Sequence, residues 1–176
     1  RLVFDDTVPV IDERRFKKCD WKDYYPDAKE VILPNMPEPR GKLVVFNCFV
    51  DSNHAGCKLK RSLKTGYLIF VNNAPIIWYS KRQTTVESST YGSEMVAARI
   101  ALELIEGLRY KLRMMGVPID GPANVFCDND GVVKNTTAPE STLKKKHAAV
   151  NYHRVREGHA SETIRMAKED TGTNIS

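Results

Sequence analysis

The sequence predicts an α/β fold, built as a five-stranded mixed sheet with helices on its faces. Three observations predict it: strand-like runs that follow one another closely, a long amphipathic helix after them, and later strands that helical segments separate. Strands separated by helices usually pair in parallel, whereas strands joined by short links pair antiparallel. The order β-β-β-α-β-α-α-β therefore combines an antiparallel meander with parallel pairs in one domain over residues 42–176.

The first three strands precede the long helix. Residues 43–50 form a nearly continuous apolar run, typical of a strand covered on both faces, and this run ends directly at Asp51. Residues 67–71 and 75–79 are two further strand-like runs, and the short link between them indicates a hairpin. These three strands form the predicted meander.

The long helix has a start signal and a stop signal. Ser88, Ser89 and Thr90 offer side chains that cap a helix N-terminus, and Gly116 offers a C-terminal stop. Helical spacing holds for the apolar residues between them: Ala97, Ile100, Ala101, Leu104, Ile105, Leu108, Leu112 and Met115. This is the longest helix that the sequence predicts.

The second half of the chain alternates strands with helices. Residues 123–127 predict a fourth strand, which ends in Asp128 and passes into a short helix near residues 131–135. A basic helix is predicted from residue 143 to about residue 158, and a last strand over residues 163–167. Residues 1–41 mix charges, aromatics and prolines without a period, which indicates an extended connector with one short helical turn at most.

Composition restricts the classes of partner. A net charge of +5 and a pI near 9 favour a polyanionic partner such as nucleic acid. The four cysteines contain no C-x-x-C pair, which argues against a structural zinc site and for reduced thiols inside a cell. No apolar stretch approaches the roughly 18 to 20 residues of a membrane-spanning helix.

Three carboxylates are predicted to meet at one edge of the sheet. Asp51 and Asp128 each follow a strand, where side chains leave the packed layer of an open α/β sheet. Glu94 lies near the start of the long helix, and alanines three, four and seven residues later share its face, so the helix can approach the sheet closely.

Converging carboxylates repel one another and raise one another's pKa unless a cation neutralises them. Mg²⁺ and Mn²⁺ favour oxygen ligands, and a pair of such ions can activate water against a phosphodiester. Spacing alone leaves an alternative open, in which Asp51 and Asp128 are turn formers and Glu94 is an ordinary first-turn acid.

At these residues the chain resembles the ribonuclease H domain that follows reverse transcriptase in copia-type retrotransposons. The resemblance covers about residues 46–176 and keeps the family order of motifs. The matching segments are Asp51-Ser52-Asn53-His54-Ala55-Gly56, Arg61-Ser62-Leu63-Lys64-Thr65-Gly66-Tyr67, Ile77-Trp78-Tyr79-Ser80-Lys81-Arg82-Gln83, Ser88-Ser89-Thr90 with Glu94, Cys127-Asp128-Asn129, Lys144-Lys145-Lys146-His147, and Tyr152-His153-Arg154-Val155-Arg156-Glu157.

The resemblance implies a ribonuclease H-like fold, cleavage of the RNA strand of RNA/DNA hybrids, and two divalent ions, Mg²⁺ or Mn²⁺, held by four acidic residues. Three of the four match Asp51, Glu94 and Asp128. The fourth follows the last strand in the family and matches no residue here; Glu169 and Asp170 precede its expected place and are not assigned to it. On this reading the domain is truncated at its C-terminus.

The resemblance also implies that residues 1–41 lead from an upstream polymerase region, and that the polyprotein is intracellular and associated with virus-like particles. Phosphate contacts are expected from basic residues near the hairpin and the late helix: Arg61, Lys64, Lys81, Arg82, Lys144, Lys145, Lys146 and His147. Solvated surface lysines are the alternative for each of them. For the whole domain, the alternatives are a non-catalytic nucleic-acid-binding or folding module and, less well supported, an integrase-like transferase.

Overall fold

A computed structural model describes residues 7–53, 64–82, 89–143 and 148–170. The described residues form five strands and three α-helices in the predicted order β-β-β-α-β-α-α-β. Their bounds are β1 Phe46–Asn53, β2 Lys64–Val71, β3 Ala74–Arg82, α1 Thr90–Met114, β4 Ala123–Cys127, α2 Asp130–Thr137, α3 Ala149–Ala160 and β5 Ile164–Lys168. The predicted mixed α/β fold is confirmed.

The sheet has the strand order β3-β2-β1-β4-β5. The pairs β1–β2 and β2–β3 are antiparallel, because short links join these strands, and the pairs β1–β4 and β4–β5 are parallel. One hydrophobic core joins α1 and α3 to the same face of the sheet, with Leu102, Ile105 and Val155 fully buried beside Phe46 and Met166. This topology places the carboxyl ends of β1 and β4 side by side.

The end of β1 differs from the sequence prediction. The strand was expected to end before Asp51, but it continues through Asp51 to Asn53 because its antiparallel pairing with β2 extends to the pair Asn53–Lys64. The parallel pairing with β4 stops earlier, at the pair Val50–Cys127. Asp51 and Asp128 are therefore each one residue beyond the last parallel pair.

Helix α1 begins and ends as its signals predict. The Ser89 hydroxyl accepts a hydrogen bond from the Gly92 N–H at 3.2 Å, which caps the N-terminus. The helix ends at Met114, and Gly116 follows with a φ of +75°, a conformation that glycine adopts without strain. Although α1 has 25 residues, neither it nor another described helix has the length and hydropathy that a bilayer span requires.

The late helix starts later than predicted. Helix α3 begins at Ala149, whereas the sequence placed the start at residue 143, which lies in a loop; residues 144–147 lie outside the described residues. Side chains of α3 bond carbonyls of the loop that precedes it. Tyr152 donates to the Ser141 carbonyl at 2.6 Å, and Arg156 donates to the Ala138 carbonyl at 2.8 Å.

Residues 7–41 pack against the rest of the described chain. Their only regular element is the 3₁₀ turn Glu13–Arg15, followed by Phe16, which packs its ring on Phe126 of β4. Further along, the Trp21 ring stacks on the His159 ring with 6.0 Å between centroids. Burial lowers the pKa of His159 to about 3, so this imidazole is neutral at physiological pH.

Two helical glycines offer a matched test of the packing between α1 and α3. A Cβ atom at Gly158 would lie 2.8 Å from both methyl carbons of Leu102 and 3.3 Å from Ile164 Cγ1, whereas a Cβ at Gly107 meets no atom within 4 Å. We expect Gly158→Ala to destabilise the protein by about 1–3 kcal/mol through overpacking. Gly107→Ala is expected to stabilise it by about 0.5–1 kcal/mol through helix propensity. Urea unfolding of both variants measures the two effects, and equal effects would contradict this packing.

Candidate metal centre

Three elements bring the three predicted carboxylates to one edge of the sheet. Asp51 and Asp128 lie at the carboxyl ends of the adjacent strands β1 and β4, and Glu94 lies in the first turns of α1. The three alanines that follow Glu94 on its face are almost fully buried, so α1 lies close to the sheet there. The structure therefore juxtaposes the residues that strand and helix patterns singled out.

Glu94 is held in a defined orientation. Its side chain is 3% exposed, and its Oε1 atom accepts the Ser52 backbone N–H at 3.2 Å. Its Oε2 atom lies 3.9 Å from the Cys127 Sγ atom. Ligand atoms of Glu94, Cys127 and Asp128 all lie within 4.8 Å of one another. Asp51 stands outside this 4.8 Å group, but its charge acts on both Glu94 and Cys127.

Two of the carboxylates, Glu94 and Asp51, have raised pKa values. Burial, followed by the charges of Asp51 and Asp128, raises the pKa of Glu94 to about 8. Burial and the charge of Asp128 also raise the pKa of Asp51. Within the described ranges, no Lys or Arg side chain forms an ion pair with any of the three carboxylates. Among the described residues, the three acids thus share a partly buried site without a cationic partner.

This donor set fits a hard divalent cation. Carboxylate oxygens are the ligands that Mg²⁺ and Mn²⁺ prefer, and a bound cation would supply the positive charge that the site lacks. Asp51, Glu94 and Asp128 are the residues that could hold it. Sequence reasoning did not single out Cys127 as part of this site, although its position directly before Asp128, at the end of a buried strand, was a usable signal.

Two described residues follow β5, Glu169 and Asp170. The Glu169 carboxylate accepts a hydrogen bond from Arg15 at 2.6 Å, and its backbone N–H donates to the Cys127 carbonyl at 3.0 Å. Asp170 is exposed and is the last residue that the structure describes. Neither residue belongs to the described group of close ligand atoms.

Two of the predicted nucleic-acid-binding residues lie at the same edge of the sheet as the carboxylates. Lys64 pairs with Asn53 at the start of β2, and Lys81 pairs with Thr65, which in turn pairs with Ser52. Both lysines are exposed. The remaining predictions cannot be placed in this way, because their side chains lie outside the described residues: Arg61, Arg82, Lys144, Lys145, Lys146 and His147.

Known proteins resemble the chain over about three quarters of its length. No protein-family model matches it. It is 27% identical over 133 residues to the retrovirus-related Pol polyprotein from transposon RE1 of Arabidopsis thaliana, covering 75% of the chain and 9% of that polyprotein. It is 29% identical over 130 residues to the corresponding polyprotein from transposon TNT 1-94 of Nicotiana tabacum, covering 74% of the chain and 10% of that polyprotein. The chain thus spans about a tenth of these relatives.

Solved structures share the fold at low sequence identity. LC11-RNase H1 in complex with an RNA/DNA hybrid matches with a TM-score of 0.56 and 14% identity, over 74% of this chain and 88% of that chain. The N-terminal RNase H domain of rv2228c from Mycobacterium tuberculosis matches with a TM-score of 0.54 and 11% identity, over 74% of this chain and 86% of that chain. At these identities the comparison bears on the fold alone.

Proposed function

Since the chain is a homologue of retrovirus-related Pol polyproteins from transposons and has the fold of RNase H domains, we propose that it is a metal-dependent endonuclease. Its proposed reaction is hydrolysis of the RNA strand of RNA/DNA hybrids. One observation carries the proposal: Asp51, Glu94 and Asp128 converge at the carboxyl edge of β1 and β4, and the described residues offer them no cationic partner. A fully structural role would leave this concentration of charge unexplained.

In this proposal the three carboxylates hold the divalent cations. When bound, the cations supply an activated water and stabilise the leaving oxygen of a phosphodiester. The chain's own contribution is to fix the ligands before substrate arrives. Adjacent parallel strands fix Asp51 and Asp128, while the Ser52 N–H binds one oxygen of Glu94 and sets the direction of that carboxylate.

The exposed lysines at the same edge support a nucleic-acid substrate. Lys64 lies on β2, next to β1, and Lys81 lies on β3, one strand further out, so a nucleic-acid backbone that passes over the carboxylates and along this edge would come within their reach. We assign phosphate contacts to both, and to the predicted basic residues outside the described ranges. Such contacts position a duplex without reading its sequence, and contacts to the 2′-hydroxyl would distinguish the RNA strand.

The comparisons also support a place in a polyprotein. We propose that residues 42–176 are the nuclease domain and that residues 1–41 lead into it from an upstream polymerase of a copia-type element. The proposed setting is intracellular, in virus-like particles. Because the chain spans about a tenth of its relatives and matches no fourth acid, activity has to be tested on a longer chain that continues past Ser176.

The experiment is a cleavage assay with a strand-labelled RNA/DNA hybrid and the longer chain. We expect cleavage of the RNA strand with Mg²⁺ or Mn²⁺, none with EDTA, and none of the DNA strand. DNA duplex and RNA duplex of the same sequence serve as controls. Cleavage should fall with rising salt, because phosphate contacts release counterions.

Two outcomes would contradict the proposal. Salt-sensitive binding of the hybrid without cleavage by the longer chain would support a non-catalytic binding module. Cleavage that persists in EDTA would show that the carboxylates do not act through a metal. The 176-residue chain, assayed in parallel, shows whether the described carboxylates suffice.

A further inference from the structure

The Cys127 thiol is the one non-carboxylate side chain in the described group of close ligand atoms. Cys127 is fully buried at the end of β4, and its Sγ atom lies 3.9 Å from Glu94 Oε2. The opposite oxygen of the same carboxylate accepts the Ser52 N–H. Each oxygen of Glu94 is thus within reach of one donor from the chain, one on β1 and one on β4.

A second buried cysteine shows what an ordinary core thiol looks like in this sheet. Cys48 lies on β1 and is also fully buried, but the hydrogen-bond acceptor described for its Sγ atom is the backbone carbonyl of the next residue, at 3.9 Å. Both cysteines are free thiols on neighbouring strands, and both belong to the same hydrophobic core. What distinguishes Cys127 is the carboxylate in front of its thiol.

We propose that Cys127 is a positioning residue of the metal centre, whose S–H group donates to Glu94 Oε2 and fixes the plane of that carboxylate. The proposal rests on the proposed function, because Glu94 matters as a ligand only if the centre binds metal. Hydrogen bonds to ligating carboxylates orient them, and their loss typically weakens metal binding. Of the two donors to Glu94, the Ser52 N–H belongs to the backbone, so Cys127 is the one that a substitution can remove.

The first experiment tests the hydrogen bond without any metal. Infrared difference spectra between the wild type and Cys127→Ser identify the S–H stretching band of Cys127 in the metal-free 176-residue chain. We expect this band at a lower wavenumber than the corresponding band of Cys48, and we expect Glu94→Ala to move it upward. A band that Glu94→Ala leaves in place would overturn the proposal, whatever the protein does with metal.

The second experiment measures Mn²⁺ binding to the longer chain, which continues past Ser176, by paramagnetic relaxation of water protons. Cys127→Ala is expected to weaken Mn²⁺ binding about tenfold. Cys127→Ser keeps a donor at the same place and is expected to restore most of that loss. Cys48→Ala is the matched control: it shortens an equally buried cysteine of the same core and should leave Mn²⁺ affinity unchanged.

The outcomes separate the two proposals. Equal Mn²⁺ affinity in Cys127→Ala and Cys48→Ala, with similar losses of thermal stability, would reduce Cys127 to core packing and overturn the positioning role. A shifted S–H band in a wild type that binds no Mn²⁺ would refute both the metal centre and the positioning role, while the hydrogen bond itself would stand. Weaker Mn²⁺ binding in Cys127→Ala with recovery in Cys127→Ser supports the proposal.

Discussion

Glu94→Gln is expected to reduce hybrid cleavage by the longer chain on the order of 10³-fold or more and, at the same time, to stabilise the metal-free protein. The loss of cleavage follows from the removal of a charged metal ligand, since a bound metal contributes several kcal/mol to transition-state stabilisation. The gain in stability follows from the removal of a carboxylate that is 3% exposed and faces two aspartates without a cation. Substitution of a residue with a purely structural role would not combine a loss of cleavage with a gain in stability.

The expected gain in stability of Glu94→Gln grows as the pH rises. Burial and the neighbouring aspartates raise the pKa of Glu94 from 4.5 to about 8, so its contribution to stability is fully present below pH 4.5 and is lost as the pH rises through 8. At pH 8 in EDTA, Glu94→Gln is expected to gain about 3 kcal/mol, or roughly 5–10 °C in Tm. At pH 5 the two proteins should differ little. Thermal unfolding at both pH values measures this.

Asp51→Asn and Asp128→Asn are the companions of this test. Each removes one carboxylate from the same centre, so we expect each to abolish cleavage while hybrid binding, measured in EDTA by fluorescence anisotropy, stays intact. Full cleavage in either variant would contradict the assignment of that residue as a ligand. A metal-free Glu94→Gln protein that is less stable than the wild type at pH 8 would contradict the buried-charge argument.

The second large effect concerns Glu30. Glu30→Gln is expected to lower the free energy of unfolding by about 3 kcal/mol. Glu30 accepts hydrogen bonds from Arg109 at 2.6 and 2.8 Å and from Arg113, and the Arg109 side chain is only 3% exposed. Removing the charge of Glu30 leaves a buried guanidinium with the Gly121 carbonyl but without its counter-charge. Breaking one partner of a buried pair typically costs about 3–5 kcal/mol. Urea unfolding of the 176-residue chain measures the loss.

Glu13→Gln is the matched control. Glu13 also lies in the N-terminal segment and also pairs with an arginine, in this case Arg165 of β5, but its side chain is 62% exposed. Exposed pairs of this kind are worth under about 1 kcal/mol, so this variant should unfold nearly as the wild type does. We call Glu30, Arg109 and Arg113 the Glu30 cluster. Similar losses of stability in Glu13→Gln and Glu30→Gln would show that burial of this cluster does not determine its contribution to stability.

The Glu30 cluster also predicts a response to acid. Burial alone would raise the pKa of Glu30, but the hydrogen bonds and charges of Arg109 and Arg113 outweigh it and lower the pKa to about 2. Its contribution to stability is therefore present above pH 4.5 and is lost as the pH falls from 4.5 through 2. Glu30→Gln should flatten the acid limb of the stability curve in that window.

Much of the architecture could be predicted from local patterns. Strand and helix order follows from apolar runs and their periods, and the Ser89 cap and Gly116 stop follow from the chemistry of helix ends. The bounds of β4 were predicted to the residue. The start of the late helix was less predictable, because Ala148 precedes it without a side-chain cap that would mark the position.

The sequence by itself determined which carboxylates follow strands and which one starts the long helix, because these are properties of neighbouring residues. Tertiary structure alone decided how deeply Glu94 is buried, that Cys127 Sγ lies 3.9 Å from Glu94 Oε2, and that Glu30 pairs with Arg109 from 79 residues away. Contacts of this kind depend on strand register and helix approach. Patterns with periods of two or 3.6 residues indicate which face of a strand or helix is buried. They do not give the distances between side chains on different elements, so these contacts are fixed only in the folded chain.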